Sequence, residues 1–178
     1  MIAYLLLLVA VLTRVMPHAG LLNFTAVGGA LLYFGARRSW REMLAPVAVL
    51  IATDYYLTVF TYHYAFRYEA YLTTWTWYLA AIVLGRILLS RSASFKRVLA
   101  SALLGPTSFF VVSNFAVWAG STWYPRTLAG LGTCYVAAIP FYRNDLASTA
   151  LVLGVAFGVP ALVRRMNAMP AQAVLAGK

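Results

Sequence analysis

Apolar residues fall in long runs divided by short polar, proline or glycine breaks, and several runs approach the roughly 20 residues that an α-helix needs to cross a bilayer. The runs cover residues 1–15, 21–36, 43–62, 70–89 and 98–120, and a sixth, capped by Asn144 or Asp145, reaches residue 163. Between the fifth and the sixth lies residues 127–139, a run too short to span and stopped by Pro140, so the pattern predicts a re-entrant or interfacial helix there, a candidate lid. The expected fold is all-α. It is an integral membrane bundle of six transmembrane helices plus that short helix, one domain over residues 1–165 with a mobile cytoplasmic tail over 166–178.

The breaks refine the picture. Pro17, His18, Ala19 and Gly20 make a tight reversal after the first run, which has no basic residues before it and so reads as a retained helix rather than a secretory leader. Gly28 and Gly29 allow a neighbouring helix to come close, as do Gly154 and Gly158 at the small-xxx-small spacing of packed membrane helices. Gly105 and Pro106 predict a kink in the fifth helix.

Composition supports the membrane reading: 63% of the residues are hydrophobic and 10% charged, where a soluble domain carries roughly a quarter charged. Mean hydropathy is +0.79. A net charge of +10 in a polar chain would suggest nucleic acid, but here the basic residues stand in short runs beside apolar stretches, which suits anionic lipid headgroups. With the first helix starting in the cytoplasm, Arg37, Arg38, Arg41, Arg86, Arg91, Lys96, Arg97, Arg164, Arg165 and Lys178 fall inside. Arg14, Arg67, Arg126 and Arg143 fall outside, so both termini are expected in the cytoplasm of a multi-pass inner-membrane protein.

Catalytic chemistry finds no foothold. The chain has no phosphate loop, no His-Glu-x-x-His and no paired cysteines, and its single Cys134 reads as a small buried apolar residue. Neither an enzymatic activity nor a cofactor or metal is expected.

Binding has better candidates. Residues 113–146 gather amides, tryptophans, arginines and the cysteine in an otherwise oily chain, and such groups are costly against lipid unless they meet partners or water. Thr107, Phe110, Asn114 and Trp118 share one helical face, expected to point inward. With the topology above, Arg14, His18, Asn23, Trp75, Asn114, Trp118, Tyr124, Arg126 and Asn144 lie in the outer half of the membrane or at its rim, with Asp54 just beneath, as the walls of an outward-facing cavity for a small, partly aromatic or anionic solute. Asp54, mid-membrane, calls for a ligand or a cationic partner, for which Arg14 and Arg126 are the candidates; the alternative to a ligand is a structural ion pair or a helix-to-helix hydrogen bond. Arg126 and Arg143, at the two ends of residues 127–139, together form a candidate cradle for an anionic group. For most of the other tryptophans and tyrosines an interfacial aromatic belt is sufficient explanation.

The segments PHAGLLNFTAVGG, PVAVLIATD, SNFAVW and YPRTLAGLGTCYVAAIPFYRNDL resemble those of an uncharacterised family of bacterial six-helix membrane proteins. That family looks like a relative of the substrate-binding S-components of energy-coupling-factor vitamin transporters. The resemblance implies a small six-helix protein that holds a vitamin-like solute or a metal ion in an outward-facing pocket, with a separate coupling subunit and ATPases as partners. One departure bears on those partners: S-components often dock through Ala-x-x-x-Ala in the first helix, whereas here Ala3 and Ala10 are seven apart. The rival reading is an accessory structural subunit of a larger membrane complex, whose outer polar cluster meets protein instead of solute.

Overall fold

The computed structural model describes residues 1–16 and 23–175, and among them every regular element is helical. Helix α1 is Ile2–Val15, α2 Val27–Arg37, α3 Leu44–Tyr56, α4 Leu72–Leu89, α5 Phe95–Gly120, α6 Leu128–Leu153 and α7 Val159–Leu175. A π-helical turn, Leu57–Thr61, prolongs α3, and another, Gly154–Gly158, joins α6 to α7 without a break.

Side-chain contacts fix the direction of each helix. Tyr4 meets Phe34 and Thr13 meets Ala26, so α1 and α2 are antiparallel. Tyr4 meets Glu42 and Arg14 meets Asp54, so α1 and α3 are parallel. Asp54 with Trp75, Trp77 with Ser108, and Tyr135 with Val111 make α3 and α4, α4 and α5, and α5 and α6 antiparallel in turn. Helices α1 to α6 therefore alternate in direction, with α1, α3 and α5 pointing one way and α2, α4 and α6 the other.

Helix α2 is the axis of this bundle. Every residue from Val27 to Ala36 is buried, against α1, α4, α5 and α6. Three glycines make this possible, because a Cβ on Gly28 would stand 2.6 Å from Thr149 Oγ1, one on Gly29 2.5 Å from Val152 Cβ, and one on Gly35 would overlap the carbonyl oxygen of Ile82. Gly85 of α4 answers Gly35, since a Cβ there would overlap the carbonyl oxygen of Leu32. Around α2 the other helices present narrow inward stripes, Ala3, Leu7 and Ala10 on α1 and Tyr78, Ala81, Ile82, Gly85 and Leu89 on α4, at the three- and four-residue spacing of one helical face.

The outward faces are apolar too: Leu5, Leu8 and Leu12 on α1 and Leu103, Val111 and Phe115 on α5 are exposed. Helices apolar on all sides suit a hydrocarbon surround rather than water. Four are long and apolar enough to cross a membrane: Trp40–Thr61, Tyr68–Leu89, Phe95–Gly120 and Leu128–Ala168.

Four expectations change. Residues 127–139 do not form a separate re-entrant helix, because α6 passes through Pro140 unbroken and continues into α7. Proline removes one backbone donor, but neither a glycine nor a chain reversal follows it, and Tyr135 and Tyr142 on either side tie α6 to α5 through Val111 O at 2.7 Å and Thr107 Oγ1 at 2.9 Å. The resulting rod, about 70 Å long at 1.5 Å per residue, is more than twice the ~30 Å of a bilayer core, so its α7 end projects beyond the bundle. Second, Asn144 and Asp145 are mid-helix residues; Thr127 caps α6 by accepting from Gly130 N at 3.1 Å. Third, α2 starts at Val27 rather than near residue 21, since Asn23 takes a left-handed conformation (φ 60°) and Thr25 N turns back to Asn23 O at 2.9 Å. Fourth, Gly154 and Gly158 face open space instead of a packed helix. The reversal expected at Pro17 to Gly20 lies outside the described residues.

The two ends of the bundle differ. At one end Arg38 pairs with Glu42, which also accepts from Tyr4 OH at 2.5 Å, while Arg86 donates to Arg38 O at 2.9 Å and stands 4.7 Å over the Trp40 ring. The other end holds the cavity.

Candidate functional site

The first feature of that end is a buried ion pair. Asp54, 1% exposed on α3, has Arg14 Nη2 2.6 Å from Oδ1, and its Oδ2 accepts from Trp75 Nε1 at 2.9 Å and Tyr78 OH at 3.3 Å. Arg14 Nη1 donates to Tyr78 OH at 2.8 Å, which closes the cluster. Local structure places each member. Thr13 Oγ1 accepts from Ala26 N at 3.1 Å and so holds the end of α1 against the start of α2, while Thr58, bonded to Asp54 O at 2.7 Å and Tyr71 OH at 2.5 Å, ties α3 to the start of α4. Phe66, Tyr71 and Trp75 stack over this junction with centroids 5.4–6.3 Å apart.

Beside the pair lie two cavities. A smaller one of about 210 Å³ is bordered by Arg14, Asn23, Thr25, Gly28, Asp54, Tyr78 and Asp145. A larger one of about 530 Å³ lies between α5 and α6 under the 121–127 loop, with Phe109, Phe110, Ser113 and Asn114 on one side, Cys134, Ala137, Ala138, Tyr142 and Asp145 on the other, and Trp123 and Tyr124 above. Asn23, Thr74, Phe109 and Asp145 border both, so the two volumes are adjoining chambers. Ala137 and Ala138 leave the room that larger side chains would fill. The α5–α6 seam is sealed by the Tyr135 and Tyr142 hydroxyl bonds and by Cys134 Sγ, 3.5 Å from Asn114 O.

The residues singled out from the sequence divide into groups. Arg14, Asn23 and Asp54 border the small chamber, and Asn23, Asn114 and Tyr124 the large one. Trp75 stands behind Asp54 as a hydrogen-bond donor. Trp118 and Arg126 border neither chamber. Trp118 Nε1 donates to Pro125 O at 2.9 Å, and Arg126 donates to Trp118 O and, at 2.9 Å, to Ser121 O. The last carbonyls of a helix lack intrahelical partners, and Arg126 supplies them for α5. That leaves Arg126 closing the 121–127 loop and Arg143 exposed on α6, with no anion cradle formed between them. Asn144 is partly exposed and is not a bordering residue of either chamber, and His18 lies outside the described residues. Of the helical face 107–118, Phe110 and Asn114 do reach the cavity, and Thr107 bonds Tyr142 beside it.

Sequence reasoning missed Asp145 as a cavity residue. It is 9% exposed, and Thr149 Oγ1, at a long 3.4 Å, is its one side-chain hydrogen-bond donor among the described residues. Its place seven residues after Cys134's neighbour Ala138, two α-helical turns along the same face, was the available signal.

An all-helical bundle, apolar outside and carrying an aromatic-walled chamber with a few placed polar groups, defines a membrane-type protein built around an internal cavity. The chain belongs to a family of unknown function, DUF6580, whose model matches residues 1–172. No curated protein and no solved structure matches it.

Proposed function

We propose that this chain is a multi-pass bacterial inner-membrane protein that crosses the membrane six times, with both termini cytoplasmic, and takes up a small organic solute through an outward-facing pocket in the manner of S-components. The observation that carries this reading is the chamber of about 530 Å³, a volume in the range of small-molecule sites, walled by aromatic rings and small side chains and dotted with Asn23, Ser113, Asn114 and Asp145. Polar groups from the α1–α2 connection, α5 and α6 converge there although lipid would penalise each of them alone.

Orientation follows from charge. The cavity lies at the end opposite Arg37, Arg38, Arg86 and Arg97, and the positive-inside rule puts that basic end in the cytoplasm. Partners are a separate matter. Ala3 and Ala10 are buried within the bundle at 3% and 0% exposure, so α1 offers no small-residue face to a coupling subunit, which favours a protein that works without one.

The test is mass spectrometry of small molecules retained by protein purified in mild detergent, with Ala138→Phe as the control that fills the chamber. The expected result is a molecule retained by the wild type and lost in A138F. Equal retention in A138F, or a stoichiometric complex with other subunits and no small molecule, would overturn the reading.

A further inference from the structure

The chain has four acidic residues, and three of them are accounted for: Glu42 pairs with Arg38, Asp54 with Arg14, and Glu69 is exposed on the 3-10 turn Tyr68–Tyr71. The fourth, Asp145, is buried at 9% exposure and borders both chambers, and among the described residues no cation stands within ion-pair distance of it. A carboxylate taken out of water needs a positive partner or several donors. Thr149 at 3.4 Å gives Oδ1 one weak bond, and Gly28, which packs closely beside Oδ1, has no side chain to offer a second donor.

Resting on the uptake reading above, we propose that the missing partner is the solute itself: the chamber takes an organic cation, a protonated amine joined to an aromatic or apolar body, whose ammonium group pairs with Asp145 while its body lies against Phe109, Phe110 and Tyr142. Two features select this class. Phe109, Phe110 and Tyr142 border the large chamber together with Asp145, and Trp77 and Phe109 the small one, so aromatic rings from α4, α5 and α6 share both chambers with the carboxylate, and aromatic faces attract cations electrostatically. Arg14, the one basic residue bordering either chamber among the described residues, already has Asp54 and Tyr78 as partners, so an anionic solute would find no free positive group among them and would face Asp145. A bare metal ion fits poorly: no cluster of three or more His, Cys, Asp or Glu exists among the described residues, and a chamber of about 530 Å³ far exceeds one ion.

The experiment uses three probes of one shape in the purified full-length protein: 2-phenylethylammonium, 2-phenylethanol and 3-phenylpropanoate, with affinity read by calorimetry in wild type, Asp145→Asn and Phe110→Leu. Wild type is expected to bind the cation ~10-fold or more tightly than the alcohol, as a desolvated charge pair combined with a cation–π contact allows, and the anion most weakly. In D145N that preference disappears while the alcohol binds as before. F110L keeps the bulk but not the ring, so it lowers affinity for the cation more than for the alcohol, which an unfolded variant could not do. A preference for the cation that survives in D145N, or binding of none of the three, overturns the assignment. Tighter binding of the alcohol or the anion, abolished by A138F, would sink the cation while leaving the uptake pocket standing; loss of the retained molecule's dependence on A138F sinks the pocket itself.

Discussion

Replacing Arg14 with methionine is expected to destabilise the protein by about 3–5 kcal/mol, the cost typical of removing one member of a buried ion pair. The size follows from the asymmetry of the pair. Asp54 is 1% exposed and Arg14 21%, so the carboxylate cannot turn to water when its partner goes, and Trp75 and Tyr78 donate to only one of its oxygens. Asp54→Asn should cost less, since Arg14 keeps its bond to Tyr78 OH and its edge on the small chamber. The double variant R14M/D54N should recover much of the R14M loss, because an amide in that place carries no charge to compensate. Unfolding of the three purified variants in a mild-detergent titration checks the order. If R14M were no worse than D54N, the carboxylate would have another source of charge.

That ion pair was partly legible in the sequence, because a carboxylate in the middle of an apolar run has few ways to survive and the basic candidates at its depth were few. Arg126 was the wrong one of the two, for a reason no periodicity reveals: a helix that ends in a loop returning at once to the next helix exposes its last carbonyls, and the nearest guanidinium takes them. Asp145 was hidden by its neighbours. Following Pro140 and beside Asn144, it has the sequence signature of a helix start, and only the unbroken course of α6 turns it inward to the cavity. Proline-based reasoning assumes the ~3 kcal/mol that proline costs a helix interior is decisive, yet two tyrosine hydroxyls and the pairing with α5 hold α6 on both sides of Pro140.

Fold class was the easiest to read. Long apolar runs fix the helices, and the boundaries of α4 and α5 follow the runs closely. The start of α2 was not, since a single left-handed Asn23 decides it and leaves no mark on hydropathy. Glycines were read correctly where a partner exists and wrongly where none does: spacing alone cannot distinguish Gly28 and Gly29, which touch Thr149 and Val152, from Gly154 and Gly158, which touch nothing.

The same contrast gives the second large effect. Gly35→Ala and Gly85→Ala are each expected to destabilise the bundle by at least the 1–3 kcal/mol typical of overpacking, about the upper end or beyond, because the obstacle in both cases is backbone. A flexible side chain can swing aside, but the carbonyls of Ile82 and Leu32 can move only if α2 and α4 separate along their whole contact. The two glycines share one crossing, so once G35A has forced the helices apart, adding G85A should cost less than it does alone. Gly154→Ala supplies the opposite sign. A Cβ there meets nothing within 4 Å, and the change removes backbone freedom from the unfolded chain, so it should leave stability unchanged or raise it by up to about 1 kcal/mol. Thermal unfolding of the four variants, followed by helical circular dichroism, separates a close α2–α4 crossing from a general sensitivity to added methyl groups. A loss in G154A equal to that in G35A would place the close contact elsewhere in the bundle.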